Sequence, residues 1–343
     1  MISVAVVGAT GYTGAELMRL LAHHPQMELT KATSRSDEGL SISKFWPALR
    51  GEVDLAFTLP DSDSLADCEL IFFATPNGTA MHEAPNLLAK GCKLVDLSAD
   101  FRLRDLAVWS KWYQQDHACP ELVAEAVYGL PELFREGIQN ANLVANPGCY
   151  PTAVVLGLLP LLEEKLIDPK SIIADAKSGV SGAGRGLGLN KLFGEVSGDF
   201  KTYAVSGHRH HPEIVQTLSA ICDNEIGLTF VPHLLPMFRG MEASIYANFV
   251  GTVDNLEKIY RARYVDHPYV DIMSDGSSPQ TSSVKGSNYC RIAGFIDQSN
   301  GRVVIQSVID NLVKGAAGQA LQNANLMFGL DEQAGLRGVA LTP

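Results

Sequence analysis

A chain of 343 residues, 46% hydrophobic and 19% charged, can bury a large core and is long enough to divide into two domains. A formal net charge of −11 argues against nucleic acid, because phosphate backbones are held by basic stripes and no lysine or arginine cluster supplies one. No apolar stretch reaches bilayer-spanning length, and Met1 runs straight into a strand pattern with no basic region or signal core. The six cysteines at 68, 92, 119, 149, 222 and 290 form no Cys-x-x-Cys pair, so reduced thiols in a cytoplasmic protein without membrane association are expected.

Residues 2–7 have the length of a buried parallel strand. They lead at once into Gly8-Ala9-Thr10-Gly11-Tyr12-Thr13-Gly14 and a helix-period stretch, 15–22. Strand, glycine loop and helix in that order suit a dinucleotide, since glycines let the backbone approach the pyrophosphate and the helix start offers N–H groups. Thr10 stands where the standard fingerprint has its second glycine, and a plain strand-to-helix turn fits the glycines equally well. A second strand, 29–33, ends in Ser34-Arg35-Ser36, where an NAD site would place an acidic residue. Arg35 would pair with a 2′-phosphate and the serines would add hydrogen bonds, pointing to NADP(H); a solvated arginine beside Asp37 and Glu38 is the competing view.

Further strands at 69–74 and 93–97 enclose a helix at 79–89, and repeated strand-helix alternation means a doubly wound parallel sheet. Thr75-Pro76-Asn77-Gly78 falls at a strand's C-terminal end, the ligand-binding edge, which brings in Pro76. After residue 162 the pattern turns to longer β segments at 172–176, 228–231, 243–250, 290–296 and 302–309, the mark of a second α+β domain on a mostly antiparallel sheet. Between them lie a glycine-rich loop, 178–188, and a polar stretch, 271–287, expected as an exposed loop. The tail, 311–326, has helical spacing and could pack back on the first domain.

Asn146-Pro147-Gly148-Cys149-Tyr150-Pro151-Thr152 precedes an apolar run, 153–162. Gly148 frees the backbone before the thiol and Pro151 suits a first helical turn, so a helix N-terminus is aimed at the sulfur. Its N–H groups and dipole favour thiolate, which would draw the Cys149 pKa toward neutrality. A buried structural cysteine is the plainer alternative. Gly207-His208-Arg209-His210 would, if extended, turn both imidazoles to one face; surface histidines or a metal site would use the same residues, although no His-Glu-x-x-His or cysteine pair completes a zinc set, so no metal is expected.

These motifs, with Leu97-Ser98-Ala99-Asp100-Phe101-Arg102, Ser178-Gly179-Val180-Ser181-Gly182-Ala183-Gly184-Arg185, Pro212-Glu213-Ile214 and residues 310–317, resemble the N-acetyl-gamma-glutamyl-phosphate reductases, relatives of aspartate-semialdehyde dehydrogenase, over nearly the whole chain. The resemblance implies a Rossmann-type NADP-binding domain over 1–148 plus about 311–343, and a catalytic and oligomerisation domain over 149–310. It also implies a homo-oligomer, tetramer or dimer, and the third step of arginine biosynthesis. In that chemistry a thiolate attacks an acyl phosphate, phosphate leaves, and hydride reduces the thioester to an aldehyde. Cys149 is then the nucleophile. His210 is the favoured proton carrier, with Glu213 as its orienting carboxylate, and His208 a close competitor. Arg102, Arg209 and Arg185 are the candidates for phosphoryl and carboxylate. By resemblance Ser181 and Gly182 lie beside nicotinamide or phosphate and Asn311 beside the carboxamide. Aspartyl phosphate, a carrier-linked aminoadipyl phosphate, or a non-catalytic redox regulator are the alternatives.

Overall fold

The computed structural model describes residues 1–341 apart from 223, 254 and 298. The chain forms two compact units: Met1–Pro147 with Ala316–Arg337, and Gly148–Gly315 with Gly338–Pro343.

In the first unit short apolar runs make the inner strands, buried on both faces as a parallel sheet requires, while the edge strand Met27–Thr33 is half-buried over most of its length. β1 (Ile2–Val7), β2 (Met27–Thr33), β3 (Leu70–Phe73), β4 (Lys93–Asp96), β5 (Val127–Tyr128) and β6 (Leu143–Ala145) pair in the order β2-β1-β3-β4-β6-β5, all parallel. Helices Tyr12–Leu21, Ala80–Ala89 and Pro131–Asn140 follow β1, β3 and β5. The order reverses between β1 and β3, the position where open α/β sheets bind ligands. β5 and β6 were not expected from sequence; at two and three residues they are too short to display a period.

Helix Gly318–Met327 packs on helices Tyr12–Leu21 and Pro131–Asn140 and on β4. All ten of its residues are buried, and its amides are anchored accordingly. Gln319 Nε2 donates to the Gly129 carbonyl at 2.9 Å; Asn323 Nδ2 donates to the same carbonyl at 2.8 Å and to Asn146 Oδ1 at 3.0 Å. The helix starts later than residue 311, because a π-helical turn, Val313–Ala317, comes first.

The second unit is built on β7 (Ile172–Gly179), β8 (Lys201–Thr202), β9 (Leu228–Leu235), β10 (Met241–Asn248), β11 (Val270–Ile272), β12 (Cys290–Asp297) and β13 (Arg302–Ile309), ordered β11-β12-β13-β10-β7-β9-β8. β11–β12 and β7–β9 are parallel, the other pairings antiparallel. Residues 271 and 272, expected in a loop, belong to β11.

Helix Cys149–Glu163 lies against β10 and β13. It is apolar all round and buried from Tyr150 to Leu162, as a helix enclosed by its own unit should be. Gly157 makes the close approach to the sheet possible, since a Cβ there would meet Ile245 Cδ1 at 2.9 Å. Pro160 brings no N–H to the Leu156 carbonyl; the Tyr264 hydroxyl donates to that oxygen at 2.6 Å instead. Among the described residues no helix is long and apolar enough to cross a membrane.

Candidate active site

Cys149 is the first residue of its helix, with Gly148 as N-cap at φ −69°, ψ 156°. Unlike the side chains that follow, its own is partly exposed, and its sulfur is in no disulfide. Three neighbours fix this turn. His210 stands against Gly148 so closely that a Cβ there would meet Nε2 at 2.6 Å. Glu213, 1% exposed, accepts the Gly148 N–H on Oε1 at 2.8 Å. Gly315, in the π-helical turn, presses from a third side, where a Cβ would meet Cys149 Cβ at 2.7 Å. Glu213 thus binds the thiol turn itself, a role its sequence position did not reveal, and Gly315 had no signal beyond being a glycine.

His208 and His210 do not lie on an extended strand. Arg209 is helical in φ/ψ and caps helix His210–Ser219, yet the two rings still meet, with centroids 4.9 Å apart. His208 Nδ1 accepts the His210 N–H at 3.0 Å, which leaves the neutral ring's proton on Nε2. Burial, and secondarily the Arg209 guanidinium, push His208 down to about 4, so it is neutral at physiological pH. Tyr150 packs edge-on to both rings, and the Tyr203 hydroxyl donates to the Tyr150 hydroxyl at 3.1 Å. Burial drives the Tyr150 phenol far above its ordinary value and Tyr203 up to about 12, so both remain protonated.

The glycine loop lies in the first unit, and its three glycines have different reasons. Gly8 has φ +85° and a Cβ there would strike the Ala74 carbonyl oxygen at 2.5 Å; a Cβ on Gly14 would strike the Gly8 carbonyl oxygen at 2.5 Å. Those two are required by the fold. Gly11, with φ −79° and nothing nearer than 3.6 Å, is not. It is the N-cap of helix Tyr12–Leu21, where an absent side chain leaves the helix start open to an anion. Ala74 belongs to the chain just after β3, so the loop sits at the sheet's reversal point. Thr10, Tyr12 and Thr13 are half-buried in this loop, and the Trp46 indole N–H pins it through the Ala9 carbonyl at 3.1 Å.

At the end of β2, Arg35 is exposed and makes no hydrogen bond or ion pair to the described residues. The Ser34 and Ser36 hydroxyls both donate to Asp37 Oδ2, at 2.7 and 2.6 Å. Pro76 is exposed in the loop after β3. That loop is held by Asp100, fully buried, which accepts the Gly78 N–H at 2.7 Å and the Met81 N–H at 3.1 Å. Asp100 lies in the Leu97–Arg102 motif, but its hold on these amides emerges only from the fold.

Arg102 also belongs to the first unit and is 7% exposed. Its Nε donates to the Asn146 carbonyl and one terminal nitrogen to the Leu97 carbonyl, both at 2.7 Å, so much of the fork is used on main chain. Arg209 and Arg185 are exposed in the second unit. Arg209 carries no hydrogen bond or ion pair to the described residues. Ser181 Oγ donates to the Phe238 carbonyl at 2.5 Å and accepts from Asn311 Nδ2 at 2.9 Å, while Asn311 Oδ1 accepts the Gly240 N–H at 2.8 Å. Asn311 therefore braces the loop that carries Ser181 and the exposed Gly182. Among the described residues no three His, Cys, Asp or Glu gather as metal ligands would.

Residues 3–141 match the family model "Semialdehyde dehydrogenase, NAD binding domain" and residues 149–311 the model "Semialdehyde dehydrogenase, dimerisation domain". The N-acetyl-gamma-glutamyl-phosphate reductases of Laribacter hongkongensis and Alkalilimnicola ehrlichii are 57% and 55% identical over 343 residues, covering all of both chains in each case. Reductase 1 of Pseudomonas putida is 57% identical over 344 residues, again end to end. Among solved structures, aspartate semialdehyde dehydrogenase II of Vibrio cholerae superposes with a TM-score of 0.73 at 18% identity, covering 96% of this chain and 98% of that one. The Candida albicans enzyme, solved with NADP, gives 0.70 at 14%, with the same coverage. The structural matches establish the fold, and the full-length identities go further: the chain belongs to the N-acetyl-gamma-glutamyl-phosphate reductase family of the semialdehyde dehydrogenases.

Proposed function

We propose that this chain reduces N-acetyl-gamma-glutamyl phosphate to N-acetyl-glutamate semialdehyde with release of phosphate, the third step of arginine biosynthesis. The observation that carries the chemistry is the thiol turn, with Cys149 at a helix start and the His210 ring against the preceding glycine. Helix N–H groups favour a thiolate there. Attack by Cys149 Sγ on the acyl carbon expels phosphate and leaves a thioester. When bound, the reduced nicotinamide supplies the hydride. His210 is the better proton carrier beside the sulfur, because His208 stays neutral until about pH 4 and its Nδ1 is already engaged. The protonated Tyr203 and Tyr150 close one side of this cluster. Exposed Arg209 is the anion-facing guanidinium next to His208, with Arg185 of the glycine-rich loop and Arg102 as further candidates.

A dinucleotide fits the first unit at Gly11, whose missing side chain no contact among the described residues requires. Gly8, Thr10, Tyr12, Thr13 and Gly14 would line the pyrophosphate, and Pro76 the edge of the same site. Unpaired Arg35 favours NADP over NAD through the 2′-phosphate, with Ser34 beside it. In the second unit Ser181, Gly182 and Asn311 would face the nicotinamide end. The first unit is accordingly the cofactor domain and the second the catalytic and oligomerisation domain; six cysteines outside any disulfide fit a cytoplasmic enzyme.

Self-association is favoured by an apolar stretch within the residues matched by the dimerisation model: Leu187 is 100% exposed, Phe193 85% and Leu189 73%. A second copy of this chain would cover it. Sedimentation of the purified protein tests this, and a monomer at micromolar concentration would reject it.

The reaction is tested by turnover of the three acyl phosphates named above by the wild type, and by Cys149→Ala. A preference for aspartyl phosphate would reject the substrate, and turnover by Cys149→Ala would reject the thioester route. A redox regulator would bind dinucleotide and show no phosphate-dependent oxidation of the semialdehyde.

A further inference from the structure

Two side chains from one helical turn grip the residue before the thiol. His210 and Glu213 stand three apart at the start of helix His210–Ser219, so both project to the same side. The imidazole fills the space where a Gly148 Cβ would be, and the carboxylate takes the Gly148 N–H at 2.8 Å. That N–H is the N-cap amide of the helix headed by Cys149. The close approach of the His210 ring limits movement of Gly148 toward it, and the bond to Glu213 prevents retreat. A carboxylate is suited to the task, since hydrogen bonds to a charged acceptor are shorter and about twice as strong as neutral ones, and the positive end of a helix favours a negative partner. Glu213 is 1% exposed, so water offers little replacement for the bond once it is lost.

We infer that Glu213 is a positioning residue for the thiol. By tying Gly148 to the turn that carries His210, it fixes the distance across which Cys149 and the imidazole exchange a proton. The inference rests on Cys149 as nucleophile. It differs from an imidazole-orienting role for Glu213, because the group held in place is the thiol turn.

The test uses the full chain and measures kcat and KM separately for phosphate-dependent oxidation of N-acetyl-glutamate semialdehyde. The variants are Glu213→Gln, Glu213→Ala and Glu213→Asp, with Cys149→Ala alongside. A misplacement of about 1 Å costs on the order of 100-fold in rate, so Glu213→Ala should lose about that in kcat with KM within about threefold. Glu213→Gln keeps an acceptor oxygen at the same reach and should recover about tenfold of the loss. Glu213→Asp stops one methylene short and should stay well below Gln, a comparison that holds even if the Ala variant does not fold. The inference is overturned if Glu213→Ala keeps kcat within about threefold of wild type, if Gln does no better than Asp, or if the loss falls on KM. Turnover by Cys149→Ala would sink the nucleophile itself. An inactive Cys149→Ala with an unaffected Glu213→Ala would sink only the positioning role.

Discussion

Gly148→Ala separates the fold's demand on the thiol turn from the chemistry's. The backbone there, φ −69° and ψ 156°, suits alanine, so no main-chain strain arises. A smaller unfolded-state entropy would even favour the variant by about 0.4–1 kcal/mol. Against that, alanine is a poorer N-cap, by a few tenths of a kcal/mol to about 1. The new Cβ also lies 2.6 Å from His210 Nε2, 2.9 Å from Cε1 and 3.0 Å from Cδ2. Ordinary contact begins at 3.4 Å, so the ring must retreat by about 0.8 Å. Relieving such overpacking costs about 1–3 kcal/mol. Net stability should therefore fall by only about 1–3 kcal/mol, whereas a catalytic group displaced by about 1 Å costs on the order of 100-fold in kcat. Thermal melting and steady-state oxidation of N-acetyl-glutamate semialdehyde, run on the same preparation, measure the two effects. A folded Gly148→Ala protein with kcat within about threefold of wild type would show that the His210 ring is not the thiol's working partner.

Three further outcomes are expected. His208 is neutral in the fold down to about pH 4 but takes a proton near 6.5 when unfolded. Acidification through that window therefore favours unfolding, by about 3 kcal/mol in all, with no penalty above pH 6.5. His208→Gln should flatten the fall of stability between pH 6.5 and 4, and an unchanged slope in denaturant titrations would refute the assignment. Arg35→Ala should raise the KM for NADPH about tenfold or more while leaving the KM for NADH in place; equal changes in both would remove the 2′-phosphate contact. Arg102→Lys should raise the KM for the acyl phosphate several-fold and also lower the melting temperature, because the Asn146 and Leu97 carbonyls lose a forked partner. A lower melting temperature with unchanged KM would leave Arg102 as a brace only.

Local pattern alone made the chemistry of this chain legible where neighbours in sequence are neighbours in space. The run into Gly8-Ala9-Thr10-Gly11 reads as strand, turn and helix because each step is set by adjacent residues, and Gly148-Cys149 with Pro151 reads as a helix start for the same reason. The long strands of the second unit show themselves through composition, while β5, β6, β8 and β11, each two or three residues long, have no period to read and exist only because a neighbouring strand offers them hydrogen bonds.

What the sequence by itself determined is the residue types and their local geometry: a cysteine at a helix N-terminus, a glycine loop between strand and helix, an arginine where an acid would serve NAD, and two histidines near one another. Only the tertiary structure decided which of these groups touch. It brought Glu213 and His210, more than sixty residues away in the chain, onto Gly148, and Gly315 onto Cys149. It buried His208 deeply enough to keep it neutral, and it turned Arg102 onto the carbonyls of Leu97 and Asn146. Contacts between distant segments and the desolvation they impose are properties of packing, and packing has no signature in the order of the residues.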